Sequence, residues 1–228
     1  MLPSILLFIN MIIARTPYLL KKIYYSLIWD LKNSRKEVFL TFDDGPNPDV
    51  TPAVLEILDK FEAKATFFCI GRNVERYPEV FEQMKKEGHT AGNHTYSHLK
   101  GWITSNAEYY KDIELADKLI HSGLFRPPYG KIRRTQLKYL RKFYNIIMWD
   151  VMSNDYDHSL SPDKCVQNVI NYARPGSIIV FHDSEKSRER TLVALPRILE
   201  ILKNQGYLFS AIPDSISNQV LQNSVRSF

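Results

Sequence analysis

The chain has 228 residues, of which 44% are apolar and 24% are charged. These values are ordinary for one soluble globular domain and exclude a low-complexity or repeat protein. Residues 1–36 carry six basic side chains and one acidic side chain, which accounts for the whole net charge of +5. Because the rest of the chain is balanced in charge, the broad basic surface typical of nucleic-acid-binding proteins is excluded, and we expect no nucleic-acid partner.

The N-terminal segment, residues 1–36, differs in composition from the rest. Residues 1–13 are strongly apolar but shorter than the roughly 20 residues that span a membrane. They also lack the basic start and small-residue cleavage site of a signal peptide. Residues 18–29 mix aromatic residues, leucines and lysines, which predicts either a helix on a membrane surface or a helix that covers one end of the domain. A cytoplasmic or membrane-associated location is therefore favoured, with peripheral membrane contact through residues 1–36.

From residue 37 onward, strand patterns alternate with helix patterns. The predicted strands span 37–42, 65–70, 90–93, 124–126, 146–151, 177–181 and 208–212. The predicted helices span 51–62, 78–87, 106–121, 133–143, 162–172 and 191–204. Such alternation favours an α/β fold with a parallel sheet and helices outside it. Seven β/α repeats can close into a barrel. An open doubly wound sheet is the alternative, although no GxGxxG motif for a dinucleotide follows the first strand.

Residues suited to catalysis follow the ends of five predicted strands. They are Asp43, Asp44, His94, His98, Arg126, Asp150, Asp155, His182 and Asp183. In a β/α barrel all of these positions lie on the C-terminal face, where such barrels place their active sites. The pattern therefore predicts one site built from five separate segments.

Two histidines and one carboxylate predict a metal site. His94 and His98 are spaced i and i+4, within reach of one ion if the turn is helical. Adjacent carboxylates such as Asp43 and Asp44 repel each other, so one of them usually needs a cation nearby. Two histidines with one carboxylate leave positions open for water and substrate, as in catalytic zinc and non-haem iron sites. Each motif alone is more typical of a turn or a surface helix, and only their combination favours a metal.

Arg126 and His182 have both structural and functional interpretations. Arg126 precedes two prolines, which stiffen the segment and hold the arginine in place, but it could equally serve a structural ion pair. His182 follows four apolar residues, so we expect it to be half-buried at the end of its strand.

Taken together, these segments resemble the polysaccharide deacetylase family, carbohydrate esterase family four, also called nodulation-protein-B-like deacetylases. The resemblance covers roughly residues 37–212, and the five family motifs occur in order. They are TFDDGP at 41–46, HTYSH at 94–98, RPPY at 126–129, a degenerate MSNDY at 152–156, and VFH at 180–182. The first three are highly specific in combination. The family fold is a distorted, incomplete (β/α)7-type barrel, so we expect that fold for a domain at 37–212, followed by a C-terminal tail at 213–228.

The resemblance implies a role for each site residue. Asp43 would be the general base, held by Arg126, and His182 would be the general acid, oriented by Asp155. The Tyr129 N–H would belong to an oxyanion hole. Asp44, His94 and His98 would bind a divalent metal ion, most often zinc, with cobalt or nickel as alternatives.

Three positions depart from the family pattern. The family usually has Asp-x-x-Asp-Trp where this chain has Met152 in place of the first Asp and Tyr156 in place of the Trp. Val180 stands where Leu is usual. Tyr156 and Val180 would line the acetyl pocket, so acyl preference is where this chain is expected to differ.

The expected function is a metal-dependent hydrolase that removes N-acetyl groups from N-acetylglucosamine-type sugars of a polysaccharide, peptidoglycan or oligosaccharide. An alternative is a deacylase or deformylase of a lipid-linked sugar at the membrane surface. A second alternative is a non-catalytic carbohydrate-binding protein, which the loss of a metal ligand or of Asp43 would favour; none is lost. The expected partner is an N-acetylated glycan, and no obligate protein partner is evident.

Overall fold

The computed structural model describes residues 14–31, 35–214 and 216. Its strands are β1 (Glu37–Asp43), β2 (Ala65–Cys69), β3 (Thr90–Asn93), β4 (Leu124–Phe125), β5 (Asn145–Ile146), β6 (Val151–Met152), β7 (Ile178–His182) and β8 (Leu208–Phe209). Its helices are α1 (Tyr18–Ile23), α2 (Thr51–Lys60), α3 (Gly71–Arg76), α4 (Pro78–Lys86), α5 (Asn106–Ile120), α6 (Arg134–Leu140), α7 (Pro162–Ile170) and α8 (Arg188–Asn204).

The strands form one curled parallel sheet in the order β5-β4-β3-β2-β1-β7-β6, and β8 adds to the start of β1. Every pairing between these strands is parallel. The two edge strands, β5 and β6, follow each other along the chain but do not pair as strands. The sheet is therefore a barrel that fails to close, which confirms the predicted incomplete β/α barrel over the open doubly wound alternative.

Both faces of the sheet are covered, so the central strands β1 and β2 are buried along their whole length rather than on one face only. All seven residues of β1 are buried. Val38, Leu40 and Phe42 pack with α2 and α8 on the helix side. Phe39 packs inside the barrel with residues of β2, β4 and β7. Thr41 and Asp43 lie two and four residues after Phe39, so their side chains point to the same inner face of the sheet. The carboxyl end of β1 therefore places polar groups in the barrel interior.

The single strand predicted at 146–151 is wrong. Two short strands, β5 and β6, occupy its ends. Residues 147–150 between them belong to neither strand, although the Ile147 and Asp150 amides still donate to Phe125 O and Ile178 O. The carbonyls of Ile147 and Met148 accept hydrogen bonds from the Arg126 guanidinium at 3.3 and 3.0 Å. A buried arginine thus takes the acceptors that a neighbouring strand would otherwise use.

Helix α3 is an element that the sequence pattern does not predict. It has only six residues, and a proline at position 78 separates it from α4. The other helices fall within the predicted ranges apart from a shift at the start of α8, and the last strand ends at Phe209 rather than at residue 212.

Residues 14–31 belong to the packed structure. Ile28 exchanges backbone hydrogen bonds with Ile146 and Met148, and Leu31 N–H donates to Gly176 O at 2.8 Å. This stretch therefore fills the gap between β5 and the start of β7. Lys21 of α1 pairs with Asp30 and with Asp150, which is completely buried.

Helix α1 also has an outer face. Four apolar or aromatic side chains of 18–25 are well exposed, namely Tyr18, Leu19, Ile23 and Tyr25. In the part of the chain that the structure describes, no helix has the length and apolarity needed to cross a membrane. Peripheral membrane contact and the three-part division of the chain stay predictions, since residues 1–13, 32–34, 215 and 217–228 lie outside the described residues.

Candidate active site

The carboxyl ends of the strands bring seven predicted residues together: Asp43, Asp44, His94, His98, Arg126, Asp155 and His182. Asp43 and His182 are paired positions on β1 and β7. Two predicted members lie elsewhere. Asp183 lies beneath the turn that carries Asp44. Asp150 accepts hydrogen bonds from Ser177, just before β7, and from Lys21 and Arg174. The expectation that Asp150 faces the site is therefore wrong.

Asp44, His94 and His98 form a cluster whose three ligand atoms all lie within 4.8 Å of one another. The Asp44 Oδ1 atom is 3.7 Å from His94 Nε2 and 3.1 Å from His98 Nε2. Two imidazole nitrogens and one carboxylate oxygen at this spacing suit a divalent ion of the zinc type, with positions left open. The donor set therefore fits the predicted metal.

The protonation of this cluster also suits a cation. Burial lowers the pKa of His94 to about 4, so its imidazole is neutral at pH 7. Its Nδ1–H donates to the Arg126 carbonyl at 2.7 Å, which leaves the Nε2 lone pair free for a metal. Burial raises the pKa of Asp44, but the hydrogen bond from His98 and the nearby histidines outweigh it and hold that pKa well below its usual range.

The loop that carries the two histidines is held by a residue outside the sequence motifs. Asp112 of α5 accepts the backbone N–H groups of Tyr96 and Ser97, both at 2.9 Å. Thr95 and His98 have φ angles of 65° and 58°, in a region that non-glycine residues rarely adopt. A buried carboxylate that accepts two loop amides helps to offset that strain. The sequence carries no local signal for this role, because the contact depends on how α5 packs.

The turn that carries Asp44 is fixed in a similar way by Asp183. Asp44 has a φ of 81°. Asp183 is completely buried, and it accepts the Gly45 N–H at 3.0 Å and the Thr51 hydroxyl at 2.6 Å. A Cβ on Gly45 would lie 2.0 Å from Asp183 Oδ2, so only glycine fits there. Burial raises the pKa of Asp183 to about 7. Asp183 thus lies beneath the turn rather than in the mouth of the site.

Asp43 is held by a fully buried arginine. Arg126 Nη1 donates to Asp43 Oδ1 at 2.6 Å and to the Thr41 hydroxyl at 2.8 Å. The guanidinium carbon also lies 4.1 Å from the centre of the Phe68 ring. With the two carbonyls from residues 147 and 148, these contacts fix the guanidinium on every side. Asp43 is therefore kept in one orientation beside a permanent positive charge.

His182 has a carboxylate partner of its own. Asp155 Oδ1 lies 2.7 Å from His182 Nδ1, while its Oδ2 accepts the His182 N–H at 2.7 Å and the Thr191 hydroxyl at 2.6 Å. Burial lowers the pKa of His182, but Asp155, Asp44 and Asp43 outweigh it and raise that pKa to about 9. The imidazole is therefore protonated at neutral pH.

The three predicted pocket residues, Tyr129, Tyr156 and Val180, lie in different surroundings. Tyr156 packs edge-on against His182, with ring centres 5.3 Å apart. Tyr129, about half exposed and with a φ of 60°, lies 4.7 Å from the His98 ring. Val180 is completely buried on β7, paired with Thr41 and Met152. Their roles in acyl selection stay predictions.

A curled, unclosed barrel that carries at its mouth an arginine-held aspartate and a carboxylate-held histidine is the arrangement expected of the carbohydrate esterases. The family described as polysaccharide deacetylase matches residues 30–144. A peptidoglycan-N-acetylglucosamine deacetylase of Bacillus cereus is 37% identical over 194 residues, which are 82% of this chain and 91% of that protein. The chain belongs to the polysaccharide deacetylase family.

Two solved structures extend the comparison. The Bc1960 peptidoglycan N-acetylglucosamine deacetylase is similar with a TM-score of 0.80 and 32% identity, covering 87% of this chain and 95% of that one. A CE4 family pseudoenzyme from Bacillus anthracis has a TM-score of 0.74 and 28% identity, covering 85% of this chain and 70% of that one. Because the same fold occurs in a pseudoenzyme, the fold alone does not establish turnover.

Proposed function

We propose that this protein is a metal-dependent deacetylase that hydrolyses the N-acetyl group of N-acetylglucosamine-type sugars in peptidoglycan or a related polysaccharide. One observation carries the proposal. Asp43 and His182 occupy paired positions on neighbouring strands, each held by its own buried partner, and both lie beside the Asp44, His94 and His98 cluster. A binding protein without turnover has no need of either pair.

The cofactor in this proposal is a divalent ion held by Asp44, His94 and His98, with zinc the best match to the donor set and cobalt or nickel as alternatives. The neutral His94 imidazole and the ionised Asp44 carboxylate support such an ion. Bound there, it would lower the pKa of a water molecule and polarise the amide carbonyl of the substrate.

Asp43 acts as the general base. The Arg126 guanidinium holds its Oδ1 atom at 2.6 Å and so fixes the orientation of the carboxylate. Its Oδ2 atom accepts the proton as water attacks the acetyl carbon. The Tyr129 N–H is assigned to the developing oxyanion, as the family resemblance implies.

His182 acts as the general acid. An amine is a poor leaving group unless it is protonated, so the C–N bond breaks only when a proton reaches the sugar nitrogen. The pKa of about 9 keeps His182 in its imidazolium form at neutral pH, and Asp155 fixes the ring through Nδ1. Nε2 is therefore the nitrogen that gives its proton to the departing amine.

One observation favours a second substrate, a lipid-linked N-acyl sugar at a membrane surface. The exposed side chains Tyr18, Leu19, Ile23 and Tyr25 lie on or next to α1, and the segment around them is basic. Aromatic, leucine and lysine side chains in this arrangement suit a bilayer interface. A membrane-associated location is proposed on the same basis.

Acetate release from a panel of substrates tests the proposed function. The panel pairs peptidoglycan fragments and N-acetylglucosamine oligomers with a lipid-linked N-acetylated sugar in vesicles, and uses D43N as the inactive control. The main proposal is supported if the wild type, but not D43N, releases acetate from the soluble glycans. Release from the lipid-linked sugar alone supports the second candidate, and no release from any member contradicts both.

A further inference from the structure

A cavity lies between the loop that follows β6 and the first turns of α8. Its volume is about 450 Å³. It is lined on one side by His158 and on the other by a charged stretch at 185–190, with two apolar residues behind. None of its lining residues has a part in the proposed reaction.

Most of the charges that line this cavity are already engaged. Arg188 pairs with Glu185 at 3.6 Å. Arg190 is 5% exposed and donates to Asp155 O at 2.6 Å, and it lies 3.1 Å from His158 Nδ1. Lys186 is the lining cation that is not engaged by a carboxylate. Among the described residues it forms no ion pair with Glu189 or with any other acidic side chain.

Lys186 and the candidate acid, His182, both lie near the ring of Tyr156. Its Nζ atom is 5.7 Å from the centre of the Tyr156 ring, and that ring lies 5.3 Å from the His182 ring. The ammonium group and the imidazole thus share Tyr156 as a neighbour. A sugar whose amide is held at His182 would place the next sugar of its chain near this lysine.

The position of Lys186 is fixed relative to the catalytic pair. Arg190 donates hydrogen bonds both to the backbone carbonyl of Lys186 and to that of Asp155. Asp155 in turn holds His182. One buried guanidinium therefore ties the loop that carries the lysine to the loop that carries the partner of the acid.

We propose that Lys186 forms a subsite for a negatively charged substituent on the sugar next to the one that is deacetylated. This inference rests on the proposed function and specifies its substrate class: a glycan with a free carboxylate on alternate sugars, such as the lactyl group of muramic acid in peptidoglycan strands that carry no stem peptide, rather than a neutral homopolymer. An exposed cation beside a carboxylate gives a modest, salt-screened preference.

Matched substrates isolate this preference. The probes are a peptide-free tetrasaccharide of alternating N-acetylglucosamine and N-acetylmuramic acid, and the same compound with its carboxyl groups reduced to alcohols. We expect wild-type kcat/KM to be about two- to five-fold higher for the acidic compound at low salt, and the ratio to fall towards one as ionic strength rises. K186M should lose the preference and K186R should keep it.

K203M is the matched control, because Lys203 lies at the other end of α8 and pairs weakly with Glu62 at 3.8 Å. It should keep the wild-type ratio. A wild-type ratio of one, or a K186M ratio equal to that of the wild type, overturns the subsite. Loss of acetate release from both compounds instead contradicts the proposed function. In that case the affinity of K186M for the two tetrasaccharides, measured by calorimetry against the wild type, still decides whether the lysine selects for charge.

Discussion

Asp43 on β1 and His182 on β7 are paired positions on adjacent strands, and each is fixed by a completely buried residue of opposite charge. Arg126 holds the carboxylate and Asp155 holds the imidazole. The pKa of His182 is raised to about 9, so its imidazole is protonated near pH 7, while Asp43 lies against a permanent positive charge. In the proposed mechanism these two groups are the acid and the base of the two proton transfers.

Replacing Asp43 by Asn should abolish the base without disturbing the metal cluster. The amide keeps the size of the side chain but cannot take a proton, so we expect acetate release to fall by about 10²–10⁴. Metal affinity, measured by calorimetry, should stay near that of the wild type because Asp44 is untouched. Undiminished acetate release by D43N would reject Asp43 as the base.

The dependence of kcat/KM on pH should reflect the pKa of His182, which Asp155 raises. The acid works only when protonated, so kcat/KM should fall as pH rises through about 9, the raised pKa of His182. D155N removes the charge that raises this pKa, so the alkaline limb should move to lower pH. An alkaline limb that stays in place in D155N would show that another group sets it. H182A should lower turnover by about 10²–10⁴.

Gly45 and Asp183 should be coupled. In G45A the new methyl group would lie 2.0 Å from Asp183 Oδ2, so overpacking should destabilise the fold by about 1–3 kcal/mol. In a D183A background the clash is absent, and the same substitution should cost much less. Thermal or urea unfolding of the four proteins of this double-mutant cycle checks the coupling. Additive effects would mean that Asp183 does not limit the space at Gly45.

Asp112 should influence metal binding from a distance. A single atom, Asp112 Oδ2, accepts both the Tyr96 and the Ser97 amides. D112N removes the negative charge of this acceptor, and hydrogen bonds to an ionised acceptor are the stronger ones, so the histidine loop loses support. We expect metal affinity to fall by about 10-fold while the protein stays folded. E114Q, on an exposed position of the same helix, is the control and should bind metal normally. Equal metal affinities for D112N and E114Q would show that Asp112 does not support metal binding by the histidine loop.

The site could be predicted largely because strand ends in a parallel barrel converge whatever lies between them. Asp43, Asp44, Arg126 and His182 each follow an apolar run directly, so their shared face followed from the alternation of strands and helices. The pairing of Asp43 with Arg126 was expected only from the family resemblance, because the residues alone left Arg126 equally suited to a structural ion pair.

The failures of prediction have a common cause, which is that tertiary contacts override local pattern. The apolar run at 146–151 looks like one strand, but Arg126 binds two of its carbonyls and breaks the ladder. Asp150 therefore points to Lys21 and Arg174 instead of the site. Asp112 has no motif around it, and only the packing of α5 on the histidine loop reveals what it does.

In the proposed mechanism deacetylation requires a divalent ion at Asp44, His94 and His98, and acetate release from a peptidoglycan fragment after chelation measures that requirement. Chelated wild-type protein should lose activity and regain it when zinc, cobalt or nickel is added back. H98A should neither bind one equivalent of zinc nor recover activity. Full activity in the chelated protein, or wild-type activity in H98A, would show that the reaction does not need an ion at this cluster.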